Sequence, residues 1–551
     1  MKRDLARLAG EEFDLLVIGG GAYGAAVAWD ATVRGLSVAL VEKGDFAGGT
    51  SSNSLKVVHG GLRYLQDGNL QRMRTMVRER RALLRIAPHL VRPLPFLFPS
   101  YGHGLRSRTA FRLAMLANEW IGQDRNRDLS PATSLPESRV ISREEFLDRL
   151  PRTAELDGVS GAALWFDAQI SNTERLVISF LKSAYRRGAS LANYLAATGL
   201  TVKGQRVTGA TVEDRLSGDR LEVRAKVTVN AAGPWVDSVL GSLPRPRRQP
   251  IFHPSLAMNL VTRQLVAGAA IGLPALPASR DAAGNGQPPS TLFIVPWKTR
   301  SLIGTVHTAY RGDTEAIEIP GEVLRGMLDR VNQAFPGVDL SPGDISLVHR
   351  GLLPALDAHP GKRQVVLTRE GWLVDHRQTD GYDGLMTIVG VKLTACRDVA
   401  EKTVDQVFAK LGRPAPPCRT ESTVLVGGEG ERLDEDPVGE SLAAGPGAEA
   451  EVRRTYGGEY PEVLKCLPSE ADPHDALQVL EAQAIFAVRD EMAQRLSDVV
   501  LRRTDIGAAG RPDEGLLKRL AGTLAAELGW NEKRVQQEME MVRNHYAGRT
   551  G

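Results

Sequence analysis

Asp14-Leu15-Leu16-Val17-Ile18-Gly19-Gly20-Gly21-Ala22-Tyr23-Gly24 is an apolar run that ends in a cluster of glycines. The run reads as a buried strand. Ala25, Ala26, Ala28 and Trp29 favour a helix from Tyr23 to Arg34 with Gly35 as its stop, and Leu36 to Val41 reads as a second strand closed by Glu42. Strand, helix, strand is the repeating unit of a parallel sheet. The glycines form a G-x-G-x-x-G element: Gly19 permits a tight turn, Gly21 lets backbone approach a pyrophosphate, and Gly24 allows close helix-strand packing. The helix start offers unpaired N–H groups to phosphates. Glu42, 18 residues beyond Gly24, suits a ribose diol and disfavours a 2′-phosphate. A glycine-rich turn without a ligand is the bland alternative; the strand-helix setting and Glu42 weigh against it. The glycines by themselves leave FAD and NAD both open.

A chain of 551 residues is too long for one small core and is expected to divide into two or three domains. With 42% apolar and 25% charged residues it is neither disordered nor collagen-like. A net charge of +3 is too small to argue for a nucleic-acid partner. Cys396, Cys418 and Cys466 match neither a metal-ligand spacing nor a disulfide framework, so no metal is expected and a reducing compartment fits best. The charged start shows no signal-peptide core, and no apolar run reaches the roughly 18 to 20 residues that cross a bilayer.

Residues 67 to 120 read mainly as helix interrupted by Pro88, Pro93, Pro95 and Pro99. From Asp67 to Arg112, ten arginines and no lysine stand against Asp67 and Glu79, a local excess of +8. That excess is either a solvated helix face or a patch for anionic lipid heads, helped by exposed apolar residues of the Pro-Phe-Leu-Phe-Pro stretch at 95 to 99. Arg206 to Val212 and Leu221 to Val229 read as strands returning to the first sheet. Ile271 to Ser290 reads as a surface loop, and Leu292 to Trp297 with Ser301 to Val306 as a strand pair. Beyond the Pro414 to Pro417 stretch and the acidic, glycine-rich Gly427 to Ala450, residues 475 to 549 read as a separate helical domain.

The stretch from Thr50 to Leu65 separates the two cofactors. Thr50-Ser51-Ser52-Asn53-Ser54-Leu55-Lys56-Val57-Val58-His59-Gly60-Gly61-Leu62-Arg63-Tyr64 resembles the hallmark Ser-Ser-x-Ser-x-Lys-x-x-His-Gly-Gly-Leu-Arg-Tyr element of the FAD-dependent glycerol-3-phosphate dehydrogenases. The resemblance continues through Ala231-Ala232-Gly233-Pro234-Trp235, Thr368-Arg369, Gly390-Val391-Lys392-Leu393-Thr394 and, near the end, Ala487 to Ala493 and Asp498 to Thr504. It implies an α/β architecture with an α+β substrate domain: a Rossmann-like FAD-binding fold of the glutathione-reductase and D-amino-acid-oxidase type, followed by a helical C-terminal domain. The expected divisions are 13–80, 160–250 and 350–412 for FAD, 81–159 and 251–349 for substrate, and 413–551 for linker and helices.

The resemblance implies FAD held by Gly19, Gly21, Gly24, Glu42, Lys43, Thr50, Ser51, Ser52, Lys56, His59, Gly60, Gly61, Ala232, Gly233, Gly390, Lys392, Leu393 and Thr394. It implies catalysis by His59, Arg369 and Lys392, with substrate bound by Arg63, Tyr64, Asn259, His307, Arg369 and Lys392. The reaction implied is hydride transfer from C2 of sn-glycerol 3-phosphate to flavin N5, giving dihydroxyacetone phosphate, with electrons passed to quinone. Expected partners are that substrate, the quinone, an anionic membrane surface and a second copy of the chain, with no nucleic acid. The expected location is cytoplasmic, peripheral on the inner face of the cell membrane. Besides Ser171 to Leu176, which stands where an Asp-Asp-Ala-Arg-Leu motif is usual, three positions depart from the family pattern. Leu353 stands where an arginine is usual, Asn259 where a histidine is usual, and His307 where an aspartate is usual. Arg350 or His307 is a candidate substitute for the missing cation. The departures keep open a flavin-dependent oxidase or dehydrogenase of another polyol, hydroxy acid or amine, and a non-enzymatic flavoprotein scaffold.

Overall fold

The structure is a computed structural model that describes every residue except 103, 246, 276–289, 358–364, 369, 430–447, 471, 473 and 548–551. The strand Glu12–Ile18 lies between Arg220–Asn230 and Val38–Val41, parallel to both. The sheet runs from Trp372–Asp375 through Leu385–Val389 and this trio to Ser190–Ala192, and a meander of Leu195–Lys203 and Arg206–Asp214 joins Arg220–Asn230. Glu12–Ile18 is buried along almost its whole length, as a parallel strand covered by helices must be. The helices Ala22–Val33, Thr173–Arg186 and Cys396–Lys410 pack around Trp29, whose ring meets Phe180 at 5.2 Å.

A second sheet of ten strands has His253–Arg263 paired with Arg300–Ala309 and Ile345–Asp357, and Val91–Tyr101 paired with Val159–Ile170. Its two faces follow the two-residue period of a strand. Leu256, Met258 and Leu260 bury against Met327, Leu328 and Val331 of the helix Gly321–Ala334. Val261, Trp297, Phe96 and Trp165 belong to the opposite face, which shares its core with C-terminal helices through Leu480, Leu517 and Leu520. The C-terminal region is helical as expected but is not a separate body.

Four expectations change. Of the four prolines only Pro88 follows a helix end, that of Leu70–Ile86; the others lie in the strand Val91–Tyr101, where Pro93, Pro95 and Pro99 share parity, so their missing N–H groups fall on one edge. Phe96 and Leu97 are buried there and offer no membrane patch. The arginine-rich helix Leu70–Ile86 spends its charge internally: Arg72, Arg74, Arg78, Arg80, Arg81 and Arg85 pair with Glu370, Asp124, Asp398, Asp167, Asp124 and Asp128. The stretch from Ile271 begins as strand, because Ala270–Ala275 pairs with Phe96 and Leu97; residues 276–289 of the expected loop lie outside the described residues. Val57–Val58, Val159–Ile170 and Ile345–Asp357 hydrogen-bond in the second sheet, although 57–58, 160–170 and 350–357 fall within the expected FAD divisions.

Candidate active site

The glycine turn has no room for side chains. A Cβ on Gly24 would lie 1.9 Å from the Gly19 carbonyl oxygen, and one on Gly19, where φ is +112°, would lie 2.6 Å from that of Ala231. A Cβ on Gly21 would meet only Ser51 Oγ, at 3.1 Å, so that side of the backbone stays open at the start of the helix Ala22–Val33. Ser51 Oγ accepts the Ala22 N–H at 3.0 Å. Glu42 receives the N–H groups of Gly20 at 2.7 Å and Gly44 at 2.9 Å, leaving lone pairs for a diol. Burial pushes the Glu42 carboxyl up, and those two N–H groups oppose the rise. An open glycine cradle at a helix N-terminus, a hydroxyl beside it and a carboxylate at the end of the next strand fit the ADP half of FAD.

Other expected cofactor residues are placed differently. Thr50 and Ser52 donate their hydroxyls to the Leu352 and Gly49 carbonyls, each at 3.0 Å, because their short 3₁₀ turn needs acceptors. Lys56 is buried, with Nζ at 3.1 Å from both Glu174 and Thr173 and 5.1 Å from the Trp297 ring centroid, so it is a structural cation. Lys43 lies 3.7 Å over the Trp235 ring and pairs with Glu315. Ala232 N–H is held by the Asn230 side chain at 3.3 Å, and Gly233 takes a φ of +58°.

The His-Gly-Gly-Leu-Arg-Tyr segment and the Gly390 to Thr394 turn are clamped together. His59 N–H donates to Thr394 Oγ1 at 3.2 Å, and Lys392 Nζ donates to Tyr64 Oη at 2.5 Å. His59 Nδ1 lies 3.4 Å from Asp167 Oδ2, and the imidazole keeps 37% of its surface exposed. Asp167 also accepts from Gly60 N–H at 2.7 Å and Arg80 at 2.6 Å. Burial would raise its carboxyl, but the bonds from His59 and Gly60 and the Arg80 charge hold it below the usual range. Gly60 is required here, since a Cβ would lie 2.1 Å from Arg80 Nη1. Arg63 is exposed at the start of its short helix. Arg369 lies outside the described residues.

Two residues were missed in the sequence. Asp167 carries no local signature; only strand pairing brings it beneath His59. Tyr23 sits at a variable position of the glycine motif. Its buried Oη accepts N–H from Val391 at 3.0 Å and Lys392 at 3.1 Å, and it donates to the Lys392 carbonyl at 2.7 Å. Gly390 admits the ring, because a Cβ there would lie 2.2 Å from it.

The departures cluster on one face of the second sheet. Asn259, Gly351, Leu353 and His307 face the Thr50 segment: Gly351 abuts Thr50, Ala257 pairs with both Gly351 and His307, and Leu353 shares Gly351's parity. Arg350 has the opposite parity and is on the face of Leu352 and Met258, near Tyr310 and Glu318, so it cannot replace the missing cation. Asn259 is buried, accepting the Thr305 hydroxyl at 2.8 Å and donating to the Asn53 carbonyl at 3.4 Å. Burial lowers His307 to about 4, so near neutral pH it brings a hydrogen-bonding ring rather than a charge. Among the described residues no group of His, Cys, Asp and Glu is arranged to hold a metal.

This fold and site define an FAD-dependent oxidoreductase. The family model described as FAD dependent oxidoreductase matches residues 14–391, and one described as the C-terminal domain of alpha-glycerophosphate oxidase matches 418–535. The chain is 32% identical to a glycerol-3-phosphate dehydrogenase of Synechocystis sp. over 98% of its own length and 97% of the relative's. It is 31% identical to the human mitochondrial glycerol-3-phosphate dehydrogenase, over 97% of this chain and 73% of that one. An FAD-complexed glycerol-3-phosphate dehydrogenase structure from Bacillus halodurans shares the fold, with TM-score 0.72 and 24% identity over 99% of this chain and 96% of that one. The chain belongs to the glycerol-3-phosphate dehydrogenase family of FAD-dependent oxidoreductases.

Proposed function

We propose that the chain oxidises sn-glycerol 3-phosphate to dihydroxyacetone phosphate and passes the electrons to a membrane quinone. The observation that supports this reading is the clamp of two segments, His59 N–H on Thr394 and Lys392 Nζ on Tyr64, with Lys392 bonded through its backbone to Tyr23 of the glycine motif. FAD, held by the glycine turn, Ser51 and Glu42, supplies the acceptor for the hydride lost by the alcohol. His59, oriented through Nδ1 by Asp167, takes the hydroxyl proton on its other nitrogen. Lys392 places an ammonium beside the reacting oxygen, where developing negative charge is stabilised, and Arg63 and Arg369 bind the phosphate. Tyr64, bonded to Lys392 Nζ, fixes that ammonium's direction. Anaerobic titration of the yellow holoenzyme with glycerol 3-phosphate should bleach the flavin absorbance; an unbleached flavin at millimolar substrate overturns the reading.

A second reading, oxidation of another polyol, hydroxy acid or amine, has its support in Leu353 and the uncharged His307 on the face that approaches Thr50. A substrate panel in the same anaerobic assay separates the two, and comparing dye reduction with peroxide formation separates quinone from oxygen as acceptor.

For the membrane contact we propose the helix Arg108–Ile121 rather than the Pro-Phe-Leu-Phe-Pro stretch. Leu113, Leu116 and Trp120 recur on one face at 66%, 67% and 72% exposure, with Leu105 beside them at 91% and Arg112 exposed on the same helix. No helix among the described residues is long and apolar enough to cross a membrane. Binding to anionic vesicles should weaken in high salt and be lost in Leu116→Glu/Trp120→Glu; unchanged binding of that variant removes the helix from the contact. A homodimer is compatible with this reading and is tested by sedimentation.

A further inference from the structure

We propose that the C-terminal helical domain is a latch on the FAD site, in which Arg502 and Arg503 act as positioning residues for the turn that reads the ribose and braces the glycine loop. The turn is Glu42 to Ala47, and it grips Gly20 from three directions. Glu42 Oε2 accepts the Gly20 N–H, Ala47 N–H donates to the Gly20 carbonyl at 3.0 Å, and the Phe46 ring lies 2.6 Å from where a Gly20 Cβ would be. A displacement of this turn therefore displaces the glycine loop.

The turn is in turn held from the far end of the chain. Asp45, 5% exposed, accepts from Arg502 Nε at 2.5 Å and from Arg503 Nη1 at 2.9 Å and Nη2 at 2.8 Å. Asn193 bridges the same parts, donating to Asp45 at 3.1 Å and to the Met492 carbonyl at 2.8 Å. Tyr194 makes a second connection: its N–H donates to the Gly44 carbonyl at 2.8 Å and its hydroxyl to Asp498 at 2.6 Å. A dinucleotide turn needs none of these contacts to form its strand-helix geometry, yet a buried bidentate arginine and a second one beside it are aimed at Asp45 in its middle. Another buried pair of this interface, Arg175 with Glu491, does not touch the turn, although Glu491 adjoins Arg503.

The test is the rate at which holoenzyme releases flavin, followed by the rise of free-flavin fluorescence, with far-ultraviolet circular dichroism recording the fold. Arg503→Gln should release FAD about tenfold to a hundredfold faster than the unmodified enzyme while the dichroism is kept, the range expected when the two charge-assisted bonds to Asp45 are reduced to the one that a glutamine amide can make. Arg175→Gln should melt at lower temperature but release flavin at the original rate below its melt. Should Arg503→Gln fail to fold, Asp45→Asn carries the same comparison, since it keeps the shape and loses the charge. A folded Arg503→Gln or Asp45→Asn that retains flavin normally overturns the proposal. So does equal acceleration by Arg175→Gln, because the effect would then belong to domain stability in general.

Discussion

Replacing Tyr23 by phenylalanine removes one oxygen atom and tests how Lys392 is placed. That oxygen makes three hydrogen bonds, two received from Val391 and Lys392 N–H and one given to the Lys392 carbonyl. The ring stays, filling the space that Gly390 leaves, so packing is preserved. Each buried backbone group left without a partner costs about 1 to 3 kcal/mol, and because the three are adjacent the total is not their sum; about 2 to 4 kcal/mol is expected. The turn can recover part of this by moving, and a moving turn carries Lys392 away from Tyr64, to which its ammonium is bonded at 2.5 Å. At about 1.4 kcal/mol per decade, kcat/KM for glycerol 3-phosphate should fall about 30- to 1000-fold. The assay is steady-state dye reduction under nitrogen, normalised to bound flavin. If Tyr23 acts through Lys392, Tyr23→Phe/Lys392→Met should be no worse than Lys392→Met alone. Losses that simply add, or a Tyr23→Phe enzyme within twofold of the original, refute the reasoning.

Asp167→Asn should lower kcat about 10- to 100-fold with FAD retained and reduce the melting temperature, since Arg80 then lacks its buried counter-charge; undiminished kcat would remove His59 from proton transfer. Leu353→Arg puts a guanidinium on the face that meets Thr50 and should lower KM for glycerol 3-phosphate about tenfold; a raised KM, with another substrate unaffected, would favour the second reading. Burial, with Arg175 and Arg92 nearby, lowers His89 to about 3, so the unfolded chain binds a proton there before the folded one does. Its stability contribution is intact above pH 6.5 and is lost as pH falls towards 3, about 2 kcal/mol of it between pH 7 and 5. Urea denaturation across that range should flatten in His89→Gln; an unchanged slope assigns the acid sensitivity elsewhere.

Strand, glycine turn and helix at Glu12 to Val33 were legible because period, breakers and spacing all agree locally. Val91–Tyr101 was not, because prolines are strand breakers unless their missing N–H groups share an edge, a condition only the pairing partner reveals. The same distinction runs through the site. Glu42 closes the strand next to the turn it bonds, so local spacing found it; Ser51, 29 residues from Ala22, came only with the family stretch, and Lys56 carries a family position into a buried pair with Glu174, 118 residues away. Arg350 looked near enough to replace an arginine at 353, but an odd separation along a strand puts the two on opposite faces. The +8 excess shrinks to +3 for a related reason: five acids that pair with its arginines, Asp124, Asp128, Asp167, Glu370 and Asp398, lie outside the segment counted.

Asp45 and Arg502 are separated by 457 positions. At about 5 to 20 residues per second of synthesis, the arginine leaves the ribosome roughly 20 to 90 seconds after the carboxylate it neutralises. During that interval the nascent dinucleotide region has its strands and glycines but a carboxylate with no guanidinium to enclose it. The latch therefore predicts that flavin is acquired only after Arg502 has been made: a chain truncated before Arg502 should purify colourless, and a yellow truncated chain would refute the idea.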